Sequence, residues 1–215
     1  MSTRSVAVFG GTFNPIHFGH LRSALELLET LALAELRFMP ASQPPLRDAP
    51  SVTADDRARM VELAIAGEPR FVCDRRELNR PGRSYTFDSL QSLRAELGAA
   101  QPLGMVIGCD ALLRLPDWHR WQELLELAHI VVVARPGWAL PEAGELADWL
   151  RRHAGDVTSF AKQPAGSVLT LTLRAHDISA TNVRALLQSG FSARYLLPDS
   201  VLNYIADRGL YARQE

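Results

Sequence analysis

Gly10-Gly11-Thr12-Phe13-Asn14-Pro15-Ile16-His17-Phe18-Gly19-His20 combines residue types that suit an anion. Paired glycines let backbone N–H groups approach a phosphate closely, and a helix start adds unpaired N–H groups and the positive end of its dipole. His17 and His20 are three apart, so on a helix they share one face. The spacing is neither GxxxxGK(S/T) nor GxGxxG, so the ordinary P-loop and dinucleotide-fold readings lose ground. The two histidines also admit a packing or capping role, or a zinc pair, but no third His, Cys or carboxylate is suggestively placed nearby. Near the other end, Asp177-Ile178-Ser179-Ala180-Thr181-Asn182-Val183-Arg184 groups hydroxyls, a helix start and a guanidinium. Ser179 or Thr181 can cap that helix, which puts Arg184 about one turn inside it. This set again suits phosphate oxygens.

The elements that must position these clusters are legible as apolar runs. Val6–Phe9, Leu36–Pro40, Phe71–Asp74, Leu103–Ile107, Ile130–Ala134 and Val168–Leu173 read as strands. Leu21–Leu33, Thr53–Ala66, Tyr85–Leu97, a stretch to Leu127 interrupted near Pro116, Pro141–Arg152, Thr181–Gln188 and Pro198–Asp207 read as helices. Continuous apolar strands alternating with helices predict an α/β, doubly wound, mainly parallel sheet covered on both faces, with a C-terminal helical portion. The polar clusters mostly follow strands, at the carboxyl ends where open α/β sheets bind ligands. Ala41–Ser51 and Arg75–Ser84 read as loops.

The length of 215 residues predicts one domain spanning 1–215. A hydrophobic content of 47%, a charged content of 22% and a net charge of −1 fit a globular protein and argue against bulk electrostatic binding of nucleic acid or membrane. Lys162 is the only lysine, so basic work falls to arginine. Cys73 and Cys109 form no metal-spaced motif and are most simply free thiols. No leader sequence precedes the first strand and no apolar run approaches the ~20 residues that span a bilayer, which predicts a cytoplasmic protein.

Taken together, the HxGH stretch at His17–His20 and the ISxTxxR stretch at Ile178–Arg184 resemble those of the HxGH nucleotidyltransferase superfamily. Arg83-Ser84-Tyr85-Thr86-Phe87-Asp88-Ser89-Leu90, Gly108-Cys109-Asp110, Trp118 and Tyr195-Leu196-Leu197-Pro198 sharpen the resemblance to the nicotinate-nucleotide adenylyltransferase family. The resemblance covers nearly the whole chain, with the motifs in the same order, and implies a Rossmann-like fold. It implies ATP and nicotinate mononucleotide as partners, with deamido-NAD and pyrophosphate as products.

By that resemblance, His17, His20 and Arg184 are catalytic. Gly10, Gly11, Thr12, Phe13, His17, His20, Gly108, Asp110, Ile178, Ser179, Thr181 and Arg184 bind ATP. Asn14, Arg47, Ser84, Tyr85, Thr86, Trp118 and Arg135 bind the pyridine nucleotide. An aromatic face at Trp118 suits a cationic pyridinium, and N–H donors at Tyr85 and Thr86 prefer a carboxylate to a carboxamide. Asp110 suits sugar hydroxyls. Pro44-Pro45-Leu46-Arg47 departs from the family's PPHK stretch, so Arg47 keeps the charge but not the geometry of a lysine. The expected reaction is in-line attack of the acceptor's phosphate on the α-phosphorus of ATP without a covalent enzyme intermediate, helped by Mg2+ carried on the ATP phosphates.

Overall fold

A computed structural model of the protein describes residues 5–43, 52–134, 138–174 and 177–212. All six expected strands are present: β1 (Val6–Gly11), β2 (Glu35–Pro40), β3 (Phe71–Cys73), β4 (Leu103–Gly108), β5 (His129–Ala134) and β6 (Val168–Thr172). They pair in parallel in the order β3-β2-β1-β4-β5-β6. The order reverses between β1 and β4, and a crevice opens at such a point because the flanking connections leave in opposite directions.

The central strands feed two cores because side chains alternate across a sheet. Ala7, Val106 and Val131 join one cluster with Leu27, Leu28, Met60, Val183 and Ile205. Val8, Met105, Ile107, Ile130 and Val132 join the other with Phe87, Leu90, Leu124 and Trp149. The first face is covered by α1 (Phe18–Thr30), α2 (Ala54–Ile65), α8 (Ala180–Gln188) and α9 (Asp199–Asp207), and the second by α3 (Thr86–Leu97), α5 (Leu124–Leu127) and α6 (Glu145–Arg152). The expected doubly wound α/β architecture is therefore present.

The differences from expectation are local. The region to Leu127 breaks into α4 (Cys109–Leu113), two short 3-10 turns (Leu115–Asp117 and Trp121–Glu123) and α5. Pro116 sits in the first of these turns, where its missing N–H costs nothing. One helix went unread, α7 (Val157–Lys162), which Asp156 caps by accepting from the Ser159 N–H at 2.7 Å. The C-terminal portion is tied back to α2 by the Tyr204 hydroxyl, which donates to Asp56 at 2.8 Å.

Candidate active site

The phosphate-suited loop leaves the sheet at the end of β1. Phe13 takes a left-handed φ of 46° and folds its ring back over Gly11. A Cβ on Gly11 would stand 2.9 Å from that ring, so any other residue there would displace it. The Phe13 ring is buried and packs edge-on against Phe9, Phe38 and His20 at 5.9, 5.7 and 5.2 Å. Its side chain serves the core, which leaves its backbone for any nucleotide contact. A Cβ on Gly10 would meet nothing within 4 Å, so the space above the strand end is open.

α1 begins at Phe18 rather than Leu21. His17 is its N-cap in extended conformation, which puts His20 in the first turn. The two rings stack at 3.7 Å with 28° between their planes. The His17 N–H donates to His20 Nδ1 at 3.3 Å, so the His20 proton sits on Nε2. Burial pushes His17 down to about 4 and His20 down to about 3, the latter also because His17 lies beside it. Both are therefore neutral imidazoles near pH 7 and act as N–H donors, not cations. His17 Nδ1 is buried with no partner. Gly19 is the second glycine of this stretch with a visible reason: a Cβ there would lie 3.0 Å from His17 Nδ1 and 3.4 Å from the Ile178 carbonyl oxygen.

That close approach joins the two sequence clusters. Ser179 caps α8 by accepting from the Asn182 N–H at 3.1 Å. Arg184, one turn in, donates to the Asn14 carbonyl at 2.7 Å and to the Thr181 hydroxyl at 3.3 Å. Residues 170 apart in sequence thus meet over the end of β1. Asn14 is held from a second side by the Tyr211 hydroxyl, which donates to its Oδ1. Burial raises the Tyr211 phenol well above its ordinary range and keeps it a donor.

Across the crevice, β4 ends at Gly108, and Asp110 stands exposed in the first turn of α4. Ser84-Tyr85-Thr86 forms the entry to α3, with Tyr85 as N-cap. Ser84 is buried, and its hydroxyl accepts from the Ser42 and Gln43 N–H groups at 3.0 and 3.3 Å, so it anchors the turn. The Tyr85 N–H already donates to the Arg83 carbonyl at 3.1 Å. Thr86, as the first helical residue, presents an N–H that the helix itself does not use. Trp118 is partly buried against the second core, while Trp121 packs on Trp149 at 5.1 Å. The His119 ring lies 4.8 Å from that of Tyr85 and so brings the Trp118 segment to the Ser84–Thr86 turn. Arg47 and Arg135 lie outside the described residues.

Sequence reasoning missed Arg57, Glu77 and Tyr211. Arg57 is 1% exposed, although an arginine on an amphipathic helix reads as a solvated one. Glu77 is buried beneath the Ser84–Thr86 turn, where it accepts from the Ser89 hydroxyl at 2.7 Å and burial raises its carboxyl. Tyr211 carried only the signal of an aromatic near the chain end. Among the described residues no group of three or more His, Cys, Asp or Glu could hold a metal ion, and no helix is long and apolar enough to cross a membrane.

The cytidylyltransferase-like family matches over residues 8–186. A probable nicotinate-nucleotide adenylyltransferase of Hahella chejuensis (strain KCTC 2396) is 47% identical over 208 residues, covering 96% of this chain and 95% of that protein. One of Pseudomonas putida (strain W619) is 46% identical over 210 residues, covering 98% and 96%. In three dimensions, the chain is similar to the Plasmodium falciparum nicotinic acid mononucleotide adenylyltransferase complexed with NaAD, with a TM-score of 0.73, 15% identity and 97% of each chain covered. That likeness speaks for the fold, and the bacterial relatives speak for the family. The chain belongs to the nicotinate-nucleotide adenylyltransferase family of nucleotidyltransferases.

Proposed function

We propose that the protein transfers the adenylyl group of ATP to nicotinate mononucleotide, giving deamido-NAD and pyrophosphate. The observation that carries this reading is the convergence of the His17–His20 pair, Arg184 and the open Gly10 strand end on one side of the crevice, with Thr86 and Trp118 on the other. The relatives from Hahella chejuensis and Pseudomonas putida, by their names, support the same acceptor.

The mononucleotide's 5′-phosphate is the nucleophile. Its second pKa is ~6, so it is mostly dianionic at neutral pH and needs no side-chain base. A phosphate oxygen bonds to the α-phosphorus as the bond to the α,β-bridging oxygen breaks, and pyrophosphate leaves. The obstacle is anion attacking anion, so positioning and charge stabilisation dominate. His20 donates from Nε2 and His17 from its ring N–H to phosphate oxygens whose charge grows in the transition state. Arg184 adds a permanent positive charge, and Gly10–Phe13 add backbone N–H donors. Ile178, Ser179 and Thr181 face the nucleotide from the entry to α8, and Gly108 and Asp110 take its ribose. Thr86 N–H meets the nicotinate carboxylate while Trp118 takes the ring; Asn14 and Tyr85 complete the acceptor's described surroundings, and the family resemblance adds Arg47 and Arg135 to its binding residues. No cluster of carboxylates among the described residues would hold Mg2+, so it would be carried by the phosphates of ATP. When bound, it neutralises phosphate charge.

Pyrophosphate release with ATP and Mg2+ tests the reading, with nicotinate mononucleotide, nicotinamide mononucleotide and phosphopantetheine compared as acceptors. Strong preference for the first is expected. Preference for another keeps adenylyl transfer and overturns the acceptor. Release with none of them overturns the reaction.

A further inference from the structure

We infer that Arg57 is a positioning residue for adenylyl transfer: its buried fork fixes the loop that receives the ATP phosphates against the turn that receives the acceptor. The inference rests on the adenylyl-transfer reading above. Arg57 lies in α2, on the side of the sheet away from the acceptor turn, and is 1% exposed. One arm, Nη1, donates to the Thr12 carbonyl at 2.6 Å, within the loop that follows β1. The other, Nη2, donates to the carbonyls of Ala41 at 2.7 Å and Ser42 at 3.3 Å, just past β2. From there the path continues without a break. Ser42 and Gln43 donate their N–H groups to the Ser84 hydroxyl, and the Ser84 N–H returns to the Gln43 carbonyl at 3.1 Å. Ser84 opens the turn whose next residues are Tyr85 and Thr86.

The chemistry of the bridge requires arginine. All three acceptors are neutral carbonyls, and no carboxylate of the described residues lies within ion-pair distance of Arg57. Its Nε is buried without a partner. A buried charge with no counter-ion opposes folding, so stability alone is a poor reason for it. A planar fork, however, holds two backbone segments at a fixed separation, which a lysine's single rotatable head cannot do. A two-substrate transfer depends on that separation, because a misplacement of about 1 Å can cost ~10²-fold in rate.

Single-turnover rate constants test this, since they do not depend on how much of a preparation is folded. They are measured for wild type, Arg57→Lys and Arg57→Met, alongside calorimetric titration of ATP alone and of nicotinate mononucleotide alone. Arg57→Met is expected to lower the rate constant ~10²-fold, with each substrate's own Kd changed less than about threefold, and Arg57→Lys to fall between. A rate constant within about threefold of wild type, with only the amplitude reduced, makes Arg57 a structural residue and overturns the inference. So does a loss confined to the affinity for one substrate. If Arg57→Met does not fold, Ser84→Ala breaks the same path at its far end and is expected to cost about tenfold; an unchanged rate there overturns it equally. The wild-type acceptor panel judges the activity separately, and the Arg57 series is run with whichever acceptor the wild type uses.

Discussion

Two buried histidine sites stand at opposite ends of the same sheet. At the amino end of β5, His129 is fully buried, and each ring nitrogen has its partner. Nδ1 faces the Ser167 hydroxyl at 2.6 Å and accepts the Ser167 N–H at 3.2 Å, while Nε2 donates to the Gln163 carbonyl at 2.8 Å. At the carboxyl end of β1, His17 is also buried, but its Nδ1 has no partner, and its ring is stacked on a second imidazole. Burial lowers the pKa of both residues. What separates them is satisfaction. A histidine that only holds a fold has its polar atoms paired, because an unpaired one costs about 1–3 kcal/mol. A histidine kept for a ligand leaves capacity unused.

The largest test of that contrast is a crossed pair of substitutions. His20→Ala is expected to lower turnover ~10²–10³-fold, as loss of a preorganised donor to a developing oxyanion does, with a smaller Tm loss than at His129, since it leaves only the His17 N–H without its partner. His129→Ala is expected to do the reverse. It should cost ~1–3 kcal/mol through the polar groups left unpaired, a Tm loss of roughly 2–4 °C per kcal/mol in a chain of this size, while turnover stays within about twofold. Turnover and melting curves on both variants decide it. If His129→Ala also abolished transfer, satisfaction would not distinguish the two sites.

Acidification gives a smaller effect with a definite sign. His17 has a folded pKa of about 4, against ~6.5 when unfolded. Between those values the unfolded chain binds the proton and the native protein does not, so stability rises with pH across the window and falls as pH drops. At pH 5 His17 alone should remove ~2 kcal/mol relative to pH 7, at 1.36 kcal/mol per unit, and His20, held lower still, acts in the same direction. Melting curves of wild type and His17→Asn from pH 7 to 5 check this. The variant should lose less stability on acidification, and an identical slope would mean that His17 does not titrate across the transition.

How much of this was legible in the chain depends on what made each feature. The strands were plain because a sheet covered on both faces needs continuous apolar runs. The His17–His20 spacing was plain too, but the helix start was displaced by three residues. Apolar periodicity begins only at Leu21, and a histidine N-cap carries none of the usual Ser, Thr, Asp or Asn signal. The α7 helix has that signal in Asp156, but it is too short for periodicity to be seen. Arg57 and Glu77 were invisible for a different reason. Their burial is set by segments outside their own element, Thr12, 45 residues away, for Arg57 and Ser89 of the next helix for Glu77, and no local pattern encodes that. The Tyr85 N–H, expected to be free, is taken by Arg83 through a local turn that its residue types do not announce.

The finest test uses one glycine at each site: Gly19 against His17 itself, and Gly155 against Ser167, the partner of His129. A Cβ on Gly19 would lie 3.0 Å from His17 Nδ1 and 3.1 Å from Cε1, so the ring must give by a few tenths of an ångström. Gly19 sits in the first turn of α1, where alanine is ordinarily better than glycine, by up to ~1 kcal/mol in a helix interior. Gly19→Ala should therefore leave Tm unchanged or slightly raised while turnover falls about tenfold, because displacement of the ring misplaces its donor. Gly155 stands in the corresponding place at the other site: a Cβ there would lie 2.5 Å from the Ser167 Cβ and 2.9 Å from the hydroxyl that faces His129. Gly155→Ala overpacks that contact and should cost ~1–3 kcal/mol with turnover kept. The same added methyl group is thus expected to damage rate at one end of the sheet and stability at the other. Equal effects on both readouts at both glycines would mean that the His17–His20 pair, like the His129 site, serves the fold alone.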